Sequence, residues 1–139
     1  MQVKLPYSDV LDILLKGDMD FCPSLTSSLD VDQYAKKLSV FADFILLQKA
    51  SEFLGCIAYY KNIDGNFLYI SHYWVSRQLQ GHGYGVLMLR KLIEVASKDY
   101  QEIRLEVLKS NPAKLFYQKQ GFQVGEDRGT RVLMSLRMK

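Results

Sequence analysis

Gln80-Gly81-His82-Gly83-Tyr84-Gly85 lies between two segments of different period. Upstream, Phe67 to Val75 is rich in aromatic and β-branched residues and reads as a strand. Downstream, Val86, Leu89, Leu92, Ile93 and Ala96 recur at helical spacing, and Gly83 opens that helix. Glycines let a backbone turn tightly and let a ligand approach it closely. The first N–H groups of a helix have no internal partner and carry the positive end of its dipole. A loop of this kind is therefore a site for phosphate oxygens. It is not a dinucleotide fingerprint: counted from Gly81-His82-Gly83, the third glycine comes one residue early, at Gly85, and Val86 takes its place. It is not a P-loop, because no Lys follows Gly85. On the glycines alone, a turn that holds no ligand stays open.

Working outward, Phe44 to Gln48, Phe53 to Lys61 and Phe67 to Val75 form an antiparallel meander. Asn62-Ile63-Asp64-Gly65-Asn66 separates the last two, and its Asp-Gly pair is a turn signal. Nearer the N-terminus, Ser8 is placed to cap a short helix bearing Val10, Leu11, Leu14 and Leu15, with Gly17 as its stop. Gly17 to Leu29 reads as a loop. Asp30 caps a second helix with Val31, Tyr34, Ala35, Leu38 and Phe41 on one face. Beyond the glycine loop and its helix, Ile103, Leu105 and Val107 alternate with Arg104 and Glu106 as a strand. Asn111-Pro112 starts a further helix that ends near Gly121. Two last strands, about Phe122 to Gly125 and Arg131 to Arg137, flank the turn Asp127-Arg128-Gly129. The order predicts an α/β (α+β) fold: one mixed, mainly antiparallel central sheet of about six to seven strands with about four helices packed on it. Residues 1–139 read as a single domain.

Composition removes several function classes. A net charge of +3 is too small for the clustered basic patch of a nucleic-acid binder, though it suits a polyphosphate ligand. Cys22 and Cys56 have no CxxC spacing and read as free thiols of a reducing compartment. With only His72 and His82 besides, no metal-ligand cluster is visible. Met1 to Pro6 lacks a signal peptide's apolar region, and no apolar run approaches the roughly 20 residues of a membrane span. The expectation is a cytoplasmic, soluble protein. Exposed apolar strand edges leave a homodimer open.

At two places the chain resembles the general N-acetyltransferase (GNAT) superfamily. Gln80 to Gly85 matches that family's Q/R-x-x-G-x-G/A motif, after a strand, Tyr69 to Val75, similar to its central strand. Asn111-Pro112-Ala113-Lys114-Leu115-Phe116-Tyr117-Gln118-Lys119-Gln120-Gly121-Phe122 resembles its second motif, in which Asn precedes a helix that carries Tyr and closes at Gly-Phe. The resemblance covers roughly Phe53 to Phe122, with both motifs in the right order around the right helix and strand.

The resemblance implies splayed central strands, here Tyr69–Val75 and Ile103–Leu108, that admit the pantetheine of acetyl-CoA as a co-substrate. The backbone of Trp74 and Val75 would bond the pantetheine and the acetyl carbonyl. Gln80, Gly81, His82, Gly83, Tyr84 and Gly85 would hold the pyrophosphate, with His82 acting through its backbone. Asn111, otherwise a helix cap, would reach the pantetheine. Tyr117, otherwise a core Tyr, would stand near the thioester sulfur and protonate the departing thiolate, while Phe116 points elsewhere into the core. The activity implied is an acetyl-CoA-dependent N-acetyltransferase. In it, a small-molecule or protein amine attacks the thioester directly, since neither motif supplies a nucleophile. The alternative is a non-catalytic acyl-CoA binding or sensing module on the same fold. The base is His72 or water. Strand alternation groups His72 with Ile70 and Trp74, unless a bulge near Val75 changes the face. Phe21 to Leu29 and Tyr34 would shape the acceptor pocket.

Overall fold

The computed structural model describes residues 2–17 and 30–138. The order begins with a strand that the periodicity does not reveal, β1 (Gln2–Val3). Then come α1 (Tyr7–Gly17), α2 (Val31–Phe41), β2 (Asp43–Lys49), β3 (Glu52–Asn62) and β4 (Phe67–Val75). A single 3₁₀ turn (Arg77–Leu79) leads into α3 (Tyr84–Asp99), followed by β5 (Glu102–Leu108), α4 (Ala113–Lys119), β6 (Gln123–Arg128) and β7 (Arg131–Arg137). The strands form one seven-stranded sheet in the order β1-β2-β3-β4-β5-β7-β6. Every neighbouring pair is antiparallel except β4 and β5.

That one parallel pair creates the opening. β4 and β5 pair from Phe67↔Glu102 only as far as Ile70↔Leu105. Beyond this, His72–Val75 of β4 stays on β3, and Glu106–Leu108 of β5 stays on β7. The two strands part into a V that opens toward the glycine loop.

Each face of the sheet carries its own core. On one side, Met88, Leu89, Leu92 and Ala96 of α3 pack on Ile57, Tyr59, Leu68, Ile70, Leu105 and Met134. On the other, Val10, Ile13 and Leu14 of α1 and Ala35 and Leu38 of α2 cover Phe44, Phe53, Cys56, Ala58 and Trp74. Each fully buried aliphatic side chain stabilises the fold by about 1.5–3 kcal/mol. Gly17 lets α1 lie close on the sheet: a Cβ there would stand 2.9 Å from the indole of Trp74.

The helix starts and faces differ in detail from the pattern. α1 starts before Ser8, with the Pro6 carbonyl accepting from the Asp9 and Val10 amides, so Ser8 is not its cap. Ile13, rather than Leu15, completes its buried face, and Leu15 and Phe41 are exposed. Asp30 does cap α2, accepting from the Gln33 amide at 3.1 Å. β6 runs to Arg128, past Gly125, where Asp127 accepts from the Gly129 amide and Gly129 takes a φ of +85°. Most of the expected loop from Gly17 to Leu29, Cys22 included, lies outside the described residues.

Candidate active site

The glycine loop is anchored before it is open. The Ser76 amide donates to the Leu54 carbonyl at 2.7 Å, holding the end of β4 on β3. Gln80 then turns its side-chain amide back onto the Val75 carbonyl at 3.0 Å. The His82 ring reaches the Leu79 carbonyl at 3.2 Å, within the loop itself. Gly81 and Gly83 sit at φ +82° and +85°, a region that disfavours any residue with a Cβ. A Cβ at either would meet no heavy atom within 4 Å, so the space in front of both is open. The Gly83 carbonyl accepts from the Leu87 amide at 3.0 Å, which starts the α3 ladder. The amides of Tyr84, Gly85 and Val86 precede that bond and are free of the helix's own ladder.

Those amides border a cavity of about 560 Å³. Its lining includes Val75, Leu79, Gln80, Gly81, Gly83, Tyr84, Gly85 and Val86 on one side, and Tyr73, Ala113, Phe116 and Tyr117 on the other. α4 supplies the second wall. Asn111 accepts from the Ala113 amide at 2.9 Å and so starts this helix, with Pro112 at its entry. The rings of Tyr73, Phe116 and Tyr117 contact one another with centroids 5.5–6.0 Å apart. Burial pushes the Tyr117 hydroxyl well above the ordinary phenol range, so it is protonated at any physiological pH. The cavity thus has the free amides of a helix start on one wall and a protonated tyrosine on the other.

The acetyltransferase (GNAT) profile matches residues 13–122, most of the chain. The chain belongs to this family. No curated protein sequence matches it. Among solved structures, it is similar to a PaiA N-acetyltransferase from Thermoplasma acidophilum in complex with coenzyme A, at 16% identity and a TM-score of 0.76, covering 99% of this chain and 98% of that one. It is also similar to the ribosomal-protein-S18-alanine N-acetyltransferase from Escherichia coli, at 17% identity and a TM-score of 0.74, covering 99% and 93%. Tetrahymena Gcn5 aligns at 18% identity and a TM-score of 0.71, covering 93% and 88%. At such identities the likeness speaks to the fold.

In this acetyltransferase the cavity gathers Val75, Gln80, Gly81, Gly83, Tyr84, Gly85 and Tyr117. Trp74, His82 and Asn111 are not among its lining residues. Trp74 differs most from expectation. Its side chain lies on the opposite face, against Gly17. Its backbone edge is also turned away. The Leu54–Ser76 bond sets the phase of the β3–β4 ladder, and in an antiparallel ladder alternate residues face the same neighbour. Trp74, two residues before Ser76, therefore faces β3, whereas Tyr73 and Val75 face the V. The bond from Gln80 to the Val75 carbonyl agrees with that phase.

Phe116 also departs from expectation, since it lines the cavity rather than the core. The sequence carries no signal for Tyr73, whose position in an apolar strand marks it only as packing. The bulge exists but lies at Ser71 rather than near Val75: Ala58 pairs with His72 and Tyr59 with Ile70, leaving Ser71 extra. Ile70 and His72 consequently face opposite cores. Tyr34 donates to the Ser71 carbonyl at 2.9 Å and shares a 2.6 Å hydrogen bond with its hydroxyl, which holds the bulge.

His72 is 5% exposed and meets the Tyr34 ring edge-on at 6.3 Å. Burial lowers its pKa to about 4. An ammonium titrates near 10.4, so proton transfer to this imidazole runs uphill by about 6 pH units, roughly 8 kcal/mol. That argues against His72 as the base. Cys56 is a buried free thiol whose pKa burial pushes up to about 12, which removes it as a nucleophile. Phe21 to Leu29, expected at the acceptor pocket, lie outside the described residues. No helix of the described residues is long and apolar enough to cross a membrane, and no three His, Cys, Asp or Glu among them are grouped to hold a metal.

Proposed function

We propose that this chain transfers the acetyl group of acetyl-CoA to a primary amine, on a small molecule or a protein, by direct attack within a ternary complex. The observation that carries the reading is that one cavity is lined both by the residues at the start of α3 and by Tyr117. The amides of Tyr84, Gly85 and Val86 face a pyrophosphate, with no side chain at Gly81 or Gly83 to obstruct it. The V between β4 and β5 receives the pantetheine, and the gap-facing backbone of Tyr73 and Val75 supplies its hydrogen bonds. An N–H there also stabilises the oxyanion as the amine adds to the thioester. Tyr117 donates its proton to the thiolate as the C–S bond breaks. The amine loses its own proton to bulk solvent before it attacks, since His72 is buried against Tyr34 and is not among the residues that line the cavity.

The test has two stages. CoA should raise the melting temperature of the protein. Acetyl-CoA with a panel of amines should then release free thiol, with intersecting double-reciprocal plots. A thermal shift without thiol release on a broad panel supports the non-catalytic acyl-CoA binding module instead. No thermal shift overturns both readings.

A further inference from the structure

The loop at residues 80–85 has a mechanical problem. Gly81 and Gly83 have no side chains with which to hold it, and both sit at positive φ. An anion site made of backbone amides works only if those amides are already aimed. The structure anchors the loop at each end to β4. At its start, Gln80 bonds the Val75 carbonyl. At its end, Tyr73 donates its hydroxyl to the carbonyl of Gly85, in the first turn of α3.

We infer that Tyr73 is a positioning residue that aims the α3 amides at the donor's phosphates. The inference rests on the reading of acetyl-CoA as the donor. Tyr73 is suited to this by the Ser71 bulge, which turns its side chain to the α3 face. Its ring also abuts Tyr117 at 5.9 Å and Phe116 at 6.0 Å, so one side chain sets the spacing of both cavity walls. The two buried phenols then have different tasks. The proton of Tyr73 is committed to Gly85, and burial keeps it there at physiological pH by raising the hydroxyl's pKa. The hydroxyl of Tyr117 is left to serve the reacting end.

The test compares Tyr73→Phe with the unaltered protein, using CoA and pantetheine, which lacks the phosphates, in calorimetric titrations. The Phe ring keeps the packing and removes only the bond to Gly85. The Kd for CoA should rise about tenfold, the effect of losing one hydrogen-bonded anchor of an anion site. The Kd for pantetheine should stay within about twofold. Tyr73→Met, which also lacks the hydroxyl, should give the same split and keeps the inference testable if the Phe variant does not fold, while Gln80→Met probes the other anchor. A role in packing alone predicts equal losses for both ligands with a lowered Tm, and that result overturns the inference. So does unchanged CoA affinity in a folded Tyr73→Phe protein. Failure of the unaltered protein to bind CoA refutes the donor reading itself, and with it this inference.

Discussion

His72 offers a quantitative test of where the central strand places its one imidazole. Burial lowers its pKa from 6.5 to about 4 in the folded protein, while the unfolded chain titrates near the ordinary value. Above pH 6.5 both states hold it neutral and its contribution is constant. Between pH 6.5 and 4 only the unfolded chain gains the proton, so stability falls as pH falls. Below about 4 the folded protein is protonated too and the loss levels off. The interval corresponds to about 3 kcal/mol, at about 1.36 kcal/mol per pH unit. Urea unfolding of the unaltered protein and of His72→Gln should be measured at pH 7 and pH 4.5. The variant's stability should fall less over that range, by about 2.5 kcal/mol, whatever its absolute stability. Taking the difference removes the contributions of Asp32 and Asp127, whose partners hold their carboxyls low in both proteins. An NMR titration of the His72 ring should give a midpoint near 4. Parallel slopes, or a midpoint near 6.5, refute the burial argument and return His72 to the candidates for the base.

Three other substitutions probe the site and its support. Gly83→Val forces a β-branched residue to positive φ in the loop that lines the cavity, so CoA affinity measured by calorimetry should fall at least tenfold in a folded protein. Tyr117→Phe should lower kcat by roughly ten- to a thousand-fold with a smaller change in the KM for acetyl-CoA, and turnover at the parent rate means that solvent protonates the thiolate. Gly17→Ala puts a Cβ 2.9 Å from the Trp74 indole and should cost about 1–3 kcal/mol in urea unfolding. That loss should leave CoA affinity unchanged, because Trp74 turns its ring and its backbone edge away from the cavity.

Much of the architecture was legible because it rests on local rules. The meander follows from aromatic and β-branched runs separated by an Asp-Gly turn, and the strands fall within about two residues of the expected bounds. α3 follows from its helical period and the glycine before it, and the Asp30 cap from its place before an amphipathic run. The cavity's loop was legible for the same reason, since glycines at a strand-to-helix junction have a definite physical use. What stayed hidden depends on tertiary contact. β1 is two residues long and exists because β2 offers it an edge. Ser8 looks like a cap, but Pro6 already supplies the carbonyl that α1 needs. Phe116 and Tyr117 are adjacent on a seven-residue helix, and no periodicity tells which of the two meets a cavity. Both do.

The Ser71 bulge is the most consequential of these hidden features, because side chains alternate with a period of two and one extra residue reverses every assignment after it. With unbroken alternation, Ile70, His72 and Trp74 would share a face, and Tyr73 would face the α1–α2 core. With the bulge, Ile70 stays on the α3 side, and Tyr73 and Val75 join it. His72 and Trp74 are sent to the other core, where one is desolvated and the other closes on Gly17. The same step sets the backbone, turning Tyr73 and Val75 toward the V and Trp74 toward β3. Parallel pairing with β5 ends at Ile70, the residue just before the bulge, so the strands separate where β4 changes face. The bulge and the V thus begin together, and Tyr34 pins that point from α2 through two bonds to Ser71. A chain read only by its motifs finds the loop and the tyrosine. The one-residue irregularity between them decides which side chains and which amides the loop and the tyrosine share.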